Sequence, residues 1–370
     1  MLLNGRPSRT IWPAASADAV TVIDQRALPH RVETVVLRHV DDAVYAIAEM
    51  VVRGAPLIGV TAAYGLALQA RADAGDVALQ RAANQLKASR PTAVNLAWAV
   101  DRMLARLLQH RTSDRVAIAW TFAAQLADDD AAVNERLGSH GFEVLRPLAQ
   151  RKSGPPLNVL THCNAGWLAT VDWGTALAPI YRAQAQGVAV HVWVDETRPR
   201  NQGASLTAFE LREQGVPHTV VADNAGGHLM QRRQVDAVIV GCDRVTASGD
   251  VANKIGTYLK ALAAHDCGVP FWVAMPLSTL DRSLRDGVAE IPIEERRARE
   301  VTHLSGRASD GTTVEVQLVP DGTPALNPAF DVTPARLVTG LITERGVVPA
   351  TRDGIASLFE EQPVGATDDR

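Results

Sequence analysis

LNVLT (157–161), VAVHVWV (188–194), HTVVA (218–222), DAVIVG (236–241) and PFWVA (270–274) are five short runs, apolar almost throughout and rich in β-branched residues. A strand with one wet face alternates polar and apolar positions, so runs of this kind predict strands buried on both faces. Segments with helical spacing lie between them, at about 173–186, 204–214, 224–232 and 253–265. Strand and helix in alternation predict a parallel sheet with crossover helices, a doubly wound α/β domain.

Upstream the pattern differs. VTVID (20–24) and VETVVLRHV (32–40) flank a polar bend and predict an antiparallel hairpin. Ala/Leu-rich stretches at about 41–51, 57–72, 75–88, 94–109 and 113–131 predict helices, with Asp41 and Thr92 placed as N-caps for two of them. The Pro/Gly/basic break RKSGPP (151–156) divides the chain into a mostly helical segment, 1–150, and an α/β segment, 151–370. The tail carries a hairpin candidate around SDG (309–311) and DGT (321–323), then a predicted helix at about 334–344.

Composition narrows the function. With 46% hydrophobic and 21% charged residues the 370-residue chain is globular, and a length near two domains' worth fits the division above. A net charge of −4 with no Lys/Arg run argues against nucleic acid as a partner. No apolar stretch reaches the ~18 residues a membrane span needs, and MLLNGRPSRTIWP lacks the apolar core of a signal peptide, so a cytoplasmic location is expected. Three cysteines make no disulfide framework. Without G-x-G-x-x-G after the first strand, or a Walker loop, a dinucleotide or nucleoside triphosphate cofactor has no support; the histidines form no metal set, so neither metal nor cofactor is expected.

In doubly wound sheets the ligand crevice lies at the carboxyl ends of the strands. Each run here is followed by polar, chemically capable residues: THCNAG (161–166), DETRPRNQGA (195–204), ADNAGGH (222–228), GCDR (241–244) with SGDVANKIG (248–256), and MPLSTLD (275–281). Five loaded strand ends on one sheet edge point to an enzyme. Cys163 falls between a strand and an expected helix N-terminus, where backbone N–H groups would lower a thiol pKa; the alternative is a packed, inert cysteine. Cys242 is a second possible thiol, read as packing, and Cys267 is read as structural. Asp243 is a candidate general acid whose pKa a dry crevice would raise, or else a capping or paired carboxylate. Asn253 and Lys254 follow within one loop. Lys254, one of only four lysines beside an abundance of arginine, suits a point-charge contact to phosphate. In the helical segment, Arg53-Gly54-Ala55-Pro56 and Arg90-Pro91-Thr92 each set an Arg at a Pro-led helix start, a divided clamp for a phosphate or sugar, or two ordinary capped turns.

RGAPLIGVTAAYG (53–65), RPTAVNLAWAV (90–100), LTHCNAG (160–166), VWVDETRPRNQGASLTAFEL (192–211), GCDRVTASGDVANKIGTY (241–258), IPIEER (291–296) and NPAFDVTP (327–334) resemble the methylthioribose-1-phosphate isomerases, from about residue 40 to 348. The same superfamily includes ribose-1,5-bisphosphate isomerase and regulatory subunits of the exchange factor for eukaryotic initiation factor two. The resemblance implies a homodimer, a helical N-terminal domain, a Rossmann-like C-terminal domain, and a cofactor-free aldose-to-ketose conversion of a phosphorylated sugar. It also implies that Cys163 and Asp243 are catalytic and that Arg53, Gly54, Ala55, Arg90, Gln202, Asn253 and Lys254 bind substrate. Gln202 is the one position of these that the strand-end reading does not single out. Trp167, Asp172-Trp173, Arg200-Asn201 and Cys242 depart from the family pattern and bear on the pocket for the sugar's 5-substituent.

Overall fold

The computed structural model describes residues 1–90, 93–152, 154 and 156–360. Its N-terminal part opens with an antiparallel sheet of β1 (Ile11–Pro13), β2 (Val20–Ile23) and β3 (Thr34–Leu37), in that order; the expected hairpin is β2–β3. Five helices follow, α1 (Val40–Ala48), α2 (Ala55–Ala72), α3 (Asp76–Ser89), α4 (Val94–Leu108) and α5 (Arg115–Arg151). Asp41 is not the cap of α1. The cap is His39, and the Asp42 carboxylate accepts the Arg38 and His39 backbone N–H groups at 2.8 and 2.9 Å. Thr92, the other predicted cap, lies outside the described residues, as do Pro91, Ser153 and Pro155 of the two Pro-containing motifs.

The α/β part has a seven-stranded sheet. In chain order its strands are β4 (Leu157–Thr161), β5 (Val190–Asp195), β6 (His218–Val221) and β7 (Ala237–Val240). After an excursion come β10 (Phe271–Ala274), β15 (Gly340–Thr343) and β16 (Gly346–Val348). The order across the sheet is β16-β15-β10-β7-β4-β5-β6, parallel except for the edge strand β16. Crossovers are α6 (Ala178–Ala185), α7 (Ala208–Glu213), α8 (Ala225–Gln231) and α9 (Thr257–Cys267). Alternate residues of one strand serve different cores. Val159 and Ile239 pack with α5, α6 and Leu211 of α7, whereas Leu160, Val238 and Val240 pack with α8 and α9. Burial on both faces is the reason the runs of β4, β5, β7 and β10 are so apolar. The same expectation fails for HTVVA: β6 is an edge strand with no buried residue, and Val220 is exposed.

Strand order reverses between β4 and β7: β5 and β6 extend on one side of β4, β7 and β10 on the other. The crevice of an open α/β sheet forms at such a switch. The loops leaving β4 and β7 carry Cys163 and Asp243.

Three expectations fail here for physical reasons. The helix predicted over 253–265 starts only at Thr257, because 251–254 is a strand. β8 (Arg244–Thr246) and β9 (Val251–Lys254) form an antiparallel hairpin in a second sheet with β11 (Leu280–Asp281) and β14 (Phe330–Thr333), ordered β11-β8-β9-β14. The helix predicted over 334–344 is mostly β15, whose four residues are all buried beside β10. α5 runs twenty residues past its predicted end at 131. Its polar ADDDAAVNERLG stretch reads as a terminus, yet Leu137, Gly138, Gly141 and Leu145 are buried, Gly138 against Ala178 and Gly141 against Pro179 and Ile342. The tail hairpin does form, β12 (His303–Arg307) pairing with β13 (Thr313–Gln317) around 309–311.

Candidate active site

The start of α2 abuts the loop after β4. Gly54 caps the helix with φ 95°, and a Cβ there would lie 2.4 Å from the Ala169 carbonyl oxygen. Only a residue free to take this backbone region and lacking a side chain allows the contact that brings Arg53 against the β4 loop. Gly54→Ala is therefore expected to lower stability by more than about 1 kcal/mol and to weaken substrate binding, read from thermal denaturation and KM. Unchanged values in both would show that the close approach is dispensable.

All nine predicted site residues line one inner chamber: Arg53, Gly54, Ala55, Arg90, Cys163, Gln202, Asp243, Asn253 and Lys254. The chamber holds only about 50 Å³ of free space, but it shares Met50, Arg53, Arg90 and Gln202 with an outer cavity of about 720 Å³. It shares Gly54, Ala55, Arg90, Asp243 and Phe330 with a side pocket walled by Ile58, Ala93, Ile291, Pro292 and Ile293.

Cys163 has φ 67°, a rare conformation for a non-glycine residue. It is pinned by its own backbone: its N–H donates to Thr197 Oγ1 at 2.8 Å, and its carbonyl accepts from Thr207 Oγ1 at 2.7 Å. Its thiol donates to Gln202 Oε1 at 3.4 Å. The expected helix N-terminus is absent, since the next elements are a short 3₁₀ turn at Trp167–Ala169 and α6 at Ala178. The expected lowering of the thiol pKa fails with it. Burial pushes the Cys163 thiol up, and the nearby Arg53 and Lys254 cations oppose this only in part.

Asp243 is half-buried where β7 leads into the β8–β9 hairpin, and its N–H donates to the Ala252 carbonyl at 2.9 Å. Desolvation raises its carboxyl pKa against the pull of Lys254, Arg90 and Arg53, the direction expected for an acid. The same hairpin delivers Asn253 and Lys254. Asn253 Nδ2 donates to Thr257 Oγ1 at 3.0 Å, and Lys254 Nζ lies 4.5 Å from the centre of the Phe330 ring. Burial lowers the Lys254 pKa, and Cys163 and Asp243 oppose this only in their ionised forms. Arg53 donates from Nη1 to Asn164 Oδ1 and from Nη2 to the Asn164 carbonyl at 2.5 Å. Arg90 follows the last turn of α3 and donates to Glu294 at 3.1 Å, with its Nε buried and without a partner among the described residues. The chamber thus gathers three basic side chains, the thiols of Cys163 and Cys242, and a carboxyl group whose pKa is raised.

The family departures sort by position. Trp167 is fully buried in a core with Ile23, Leu28, Leu206 and Phe209, away from the chamber. Trp173 carries Arg182 over its ring at 4.8 Å. Arg200 pairs with Glu300 at 2.8 Å in the outer cavity. Cys242 alone of these lines the inner chamber; it contacts Thr279 Oγ1 at 3.4 Å, and burial pushes its thiol up to about 12. Cys267 ends α9 and packs in the core.

Among the described residues, one group has metal-ligand spacing, His162, Asp195 and Asp223. Most of its ligand atoms are already engaged, Asp195 Oδ1 being the buried oxygen without a hydrogen-bond partner among the described residues. Asp195 Oδ2 faces His162 Nδ1 at 2.9 Å and the Lys260 ammonium at 3.3 Å, and Asp223 accepts the Thr197 and Arg198 N–H groups, each at 2.7 Å. Sequence reasoning passed over Asn164, Glu210 and Glu294. The signal for Glu210 was a carboxylate inside the apolar stretch LTAFEL.

Residues 51–350 match the Initiation factor 2 subunit family. A protein of Methylorubrum populi named methylthioribose-1-phosphate isomerase is 64% identical over 98% of this chain and 99% of its own. The crystal structure of 5-methylthioribose 1-phosphate isomerase from Pyrococcus horikoshii is similar with a TM-score of 0.82 at 39% identity, covering 96% of this chain and 97% of that one. A crystal structure from A. fulgidus described as translation initiation factor eIF-2B, subunit delta, follows with a TM-score of 0.78 at 38% identity, over 95% and 99%. Among the described residues no helix is long and apolar enough to cross a membrane. With matches of this extent, the chain belongs to the Initiation factor 2 subunit family and, within it, to the methylthioribose-1-phosphate isomerases.

Proposed function

We propose that the chamber converts 5-methylthioribose 1-phosphate to 5-methylthioribulose 1-phosphate, an isomerisation of methionine salvage. The observation that carries the reading is that Cys163 and Asp243, from two strand ends flanking the switch point, line one chamber with Arg53, Arg90 and Lys254. An aldose 1-phosphate cannot open its ring by losing the anomeric proton, because the phosphoryl group blocks that oxygen. An acid must instead protonate the ring oxygen as its bond to C1 breaks, and Asp243 takes that part. Hydrogen then moves from C2 to C1. Either Cys163, as the thiolate that the Arg53 and Lys254 cations favour, takes the C2 proton to leave a phospho-enol and returns it to C1, or hydrogen shifts directly with Cys163 beside the transition state. C1 is reduced as C2 is oxidised within the one sugar, so the chemistry needs no external oxidant. Arg53, Arg90, Lys254 and Asn253 hold the phosphate and hydroxyl groups and fix the reacting geometry.

The side pocket supports the methylthio substituent. Ile58, Ala93, Ile291, Pro292 and Ile293 give an uncharged thioether an apolar wall next to Asp243, while the two arginines that also line this pocket, Arg90 and Arg244, are paired with Glu294 and Asp281. The test is an assay of the purified protein with 5-methylthioribose 1-phosphate, 5-deoxyribose 1-phosphate and ribose 1,5-bisphosphate, following the ketose by NMR. The methylthio sugar is expected to lead the bisphosphate in kcat/KM by about 100-fold or more. No ketose from any of the three would overturn the reading. A regulatory subunit without catalysis, the rival suggested by the initiation-factor likeness, has no use for a carboxyl of raised pKa lining one chamber with a thiol.

We further infer a cytoplasmic homodimer with domains at 1–150 and 151–370, for which solution mass and limited proteolysis near 151–156 are the direct checks.

A further inference from the structure

Arg53 is buried, and it is held in place by another side chain's amide. Asn164 accepts from the guanidinium through Oδ1, so its Nδ2 must point the other way, and there it donates to Glu210 Oε1. Glu210 lies mid-way along α7 with no exposed surface. Its second oxygen accepts the Trp167 N–H at 2.6 Å and the Tyr181 hydroxyl at 2.9 Å. The carboxylate cannot swing aside, because it fills the space beside Gly166, where a Cβ would lie 2.2 Å from Oε2. A buried carboxylate is costly to desolvate unless it is fully engaged, and this one is engaged by the Asn164 amide, the Trp167 N–H and the Tyr181 hydroxyl.

We propose that Glu210 is a positioning residue that, through the Asn164 amide, fixes the Arg53 guanidinium in its substrate-binding orientation. The proposal rests on the reading of Arg53 as a substrate contact. An amide can turn by half a revolution at little cost when both ends find partners; a carboxylate on one side and a guanidinium on the other leave Asn164 a single satisfactory orientation. Glu210 touches no reacting atom and acts only through Asn164.

The arrangement also gives a pH signature. Burial raises the Glu210 pKa to about 7, opposed by the bonds from Asn164, Tyr181 and Trp167 and by the Arg53 charge. The charged groups that face it are Arg53 and, in its ionised form alone, Tyr181, whose own pKa is held well above 10. Above about 7 the carboxylate accepts from all its donors. As pH falls through that value it gains a proton, which must displace one of them, and Arg53 is loosened.

The experiment is KM and kcat against pH for the wild type, Glu210→Gln and Tyr181→Phe. The wild type is expected to show KM climbing below about pH 7 with little change in kcat. Glu210→Gln, which puts an amide donor among donors, should raise KM by about 10- to 100-fold and lose that acid limb. Tyr181→Phe keeps the carboxylate but removes one donor, so the limb should move to higher pH; this variant carries the test if the Gln protein does not fold. A Gln variant with the wild-type KM, or a limb that Tyr181→Phe leaves in place, overturns the proposal. If the wild type isomerises none of the sugars, the functional reading fails by itself. Calorimetric binding of inorganic phosphate then decides this one: weaker binding to Glu210→Gln supports it, and equal binding overturns it.

Discussion

Asp243→Asn is expected to lower kcat by about 10²- to 10⁴-fold while substrate still binds, as titration calorimetry would show. The amide keeps the volume of the carboxyl group but has no acidic proton to give the ring oxygen, and Arg53, Arg90 and Lys254 still line the chamber. The pH dependence follows from the direction of the shift. The Asp243 pKa is raised above the ordinary carboxyl value by desolvation, and the protonated form is the reactive one. Turnover should therefore be full at low pH on this account and fall as pH climbs through the raised pKa, a limb opposite in sense to that of Glu210 and read in kcat instead of KM. A raised carboxyl pKa also means that ionisation works against folding as pH rises, so the Asn variant should melt no lower than the wild type near neutral pH. A wild-type kcat in Asp243→Asn would take the carboxyl group out of the reaction and leave ring opening without an acid.

What could be read from the chain divides along a physical line. The core strands β4, β5, β7 and β10 announce themselves because burial on both faces demands an unbroken apolar run, a signal needing no knowledge of neighbours. The loaded carboxyl ends follow from the topology of any such sheet, which is why Cys163 and Asp243, eighty positions apart, could be placed together in advance. The misses have non-local causes. Residues 340–343 are a strand because β10 offers a free edge, and 251–254 because β8 and β14 lie on either side. The environment of Cys163 was misjudged for the same reason: Thr197 and Thr207 hold its backbone from another loop, where a helix start was expected. Asn164 and Glu210 stand 46 positions apart, and nothing in either segment tells of the bond between them. Lys254 was found through its rarity, yet its seat over Phe330 depends on the pairing of β9 with β14.

Cys163→Ser is the more demanding substitution to interpret, because serine preserves nearly everything except the proton chemistry. Its backbone can keep the bonds to Thr197 and Thr207, and a hydroxyl can still donate to Gln202, so the loop should hold its shape and KM should change little. A hydroxyl surrenders its proton far less readily than a thiol, whose ordinary pKa is about 8.5. Burial already lifts the Cys163 thiol above its usual value, so an alkoxide at this position is out of reach. The expected result is a fall in kcat of about 10²- to 10⁴-fold, with Cys242→Ala close to wild type as the internal control, since the Cys242 thiol is held neutral to about 12. Turnover in deuterium oxide then separates the two routes. If sulfur carries the proton, exchange with solvent places deuterium on C1 of the ketose; if hydrogen passes directly from C2, C1 receives it unlabelled. A serine variant that turns over like the wild type would exclude sulfur from both routes, and the left-handed backbone at Cys163 would then serve only to shape the loop.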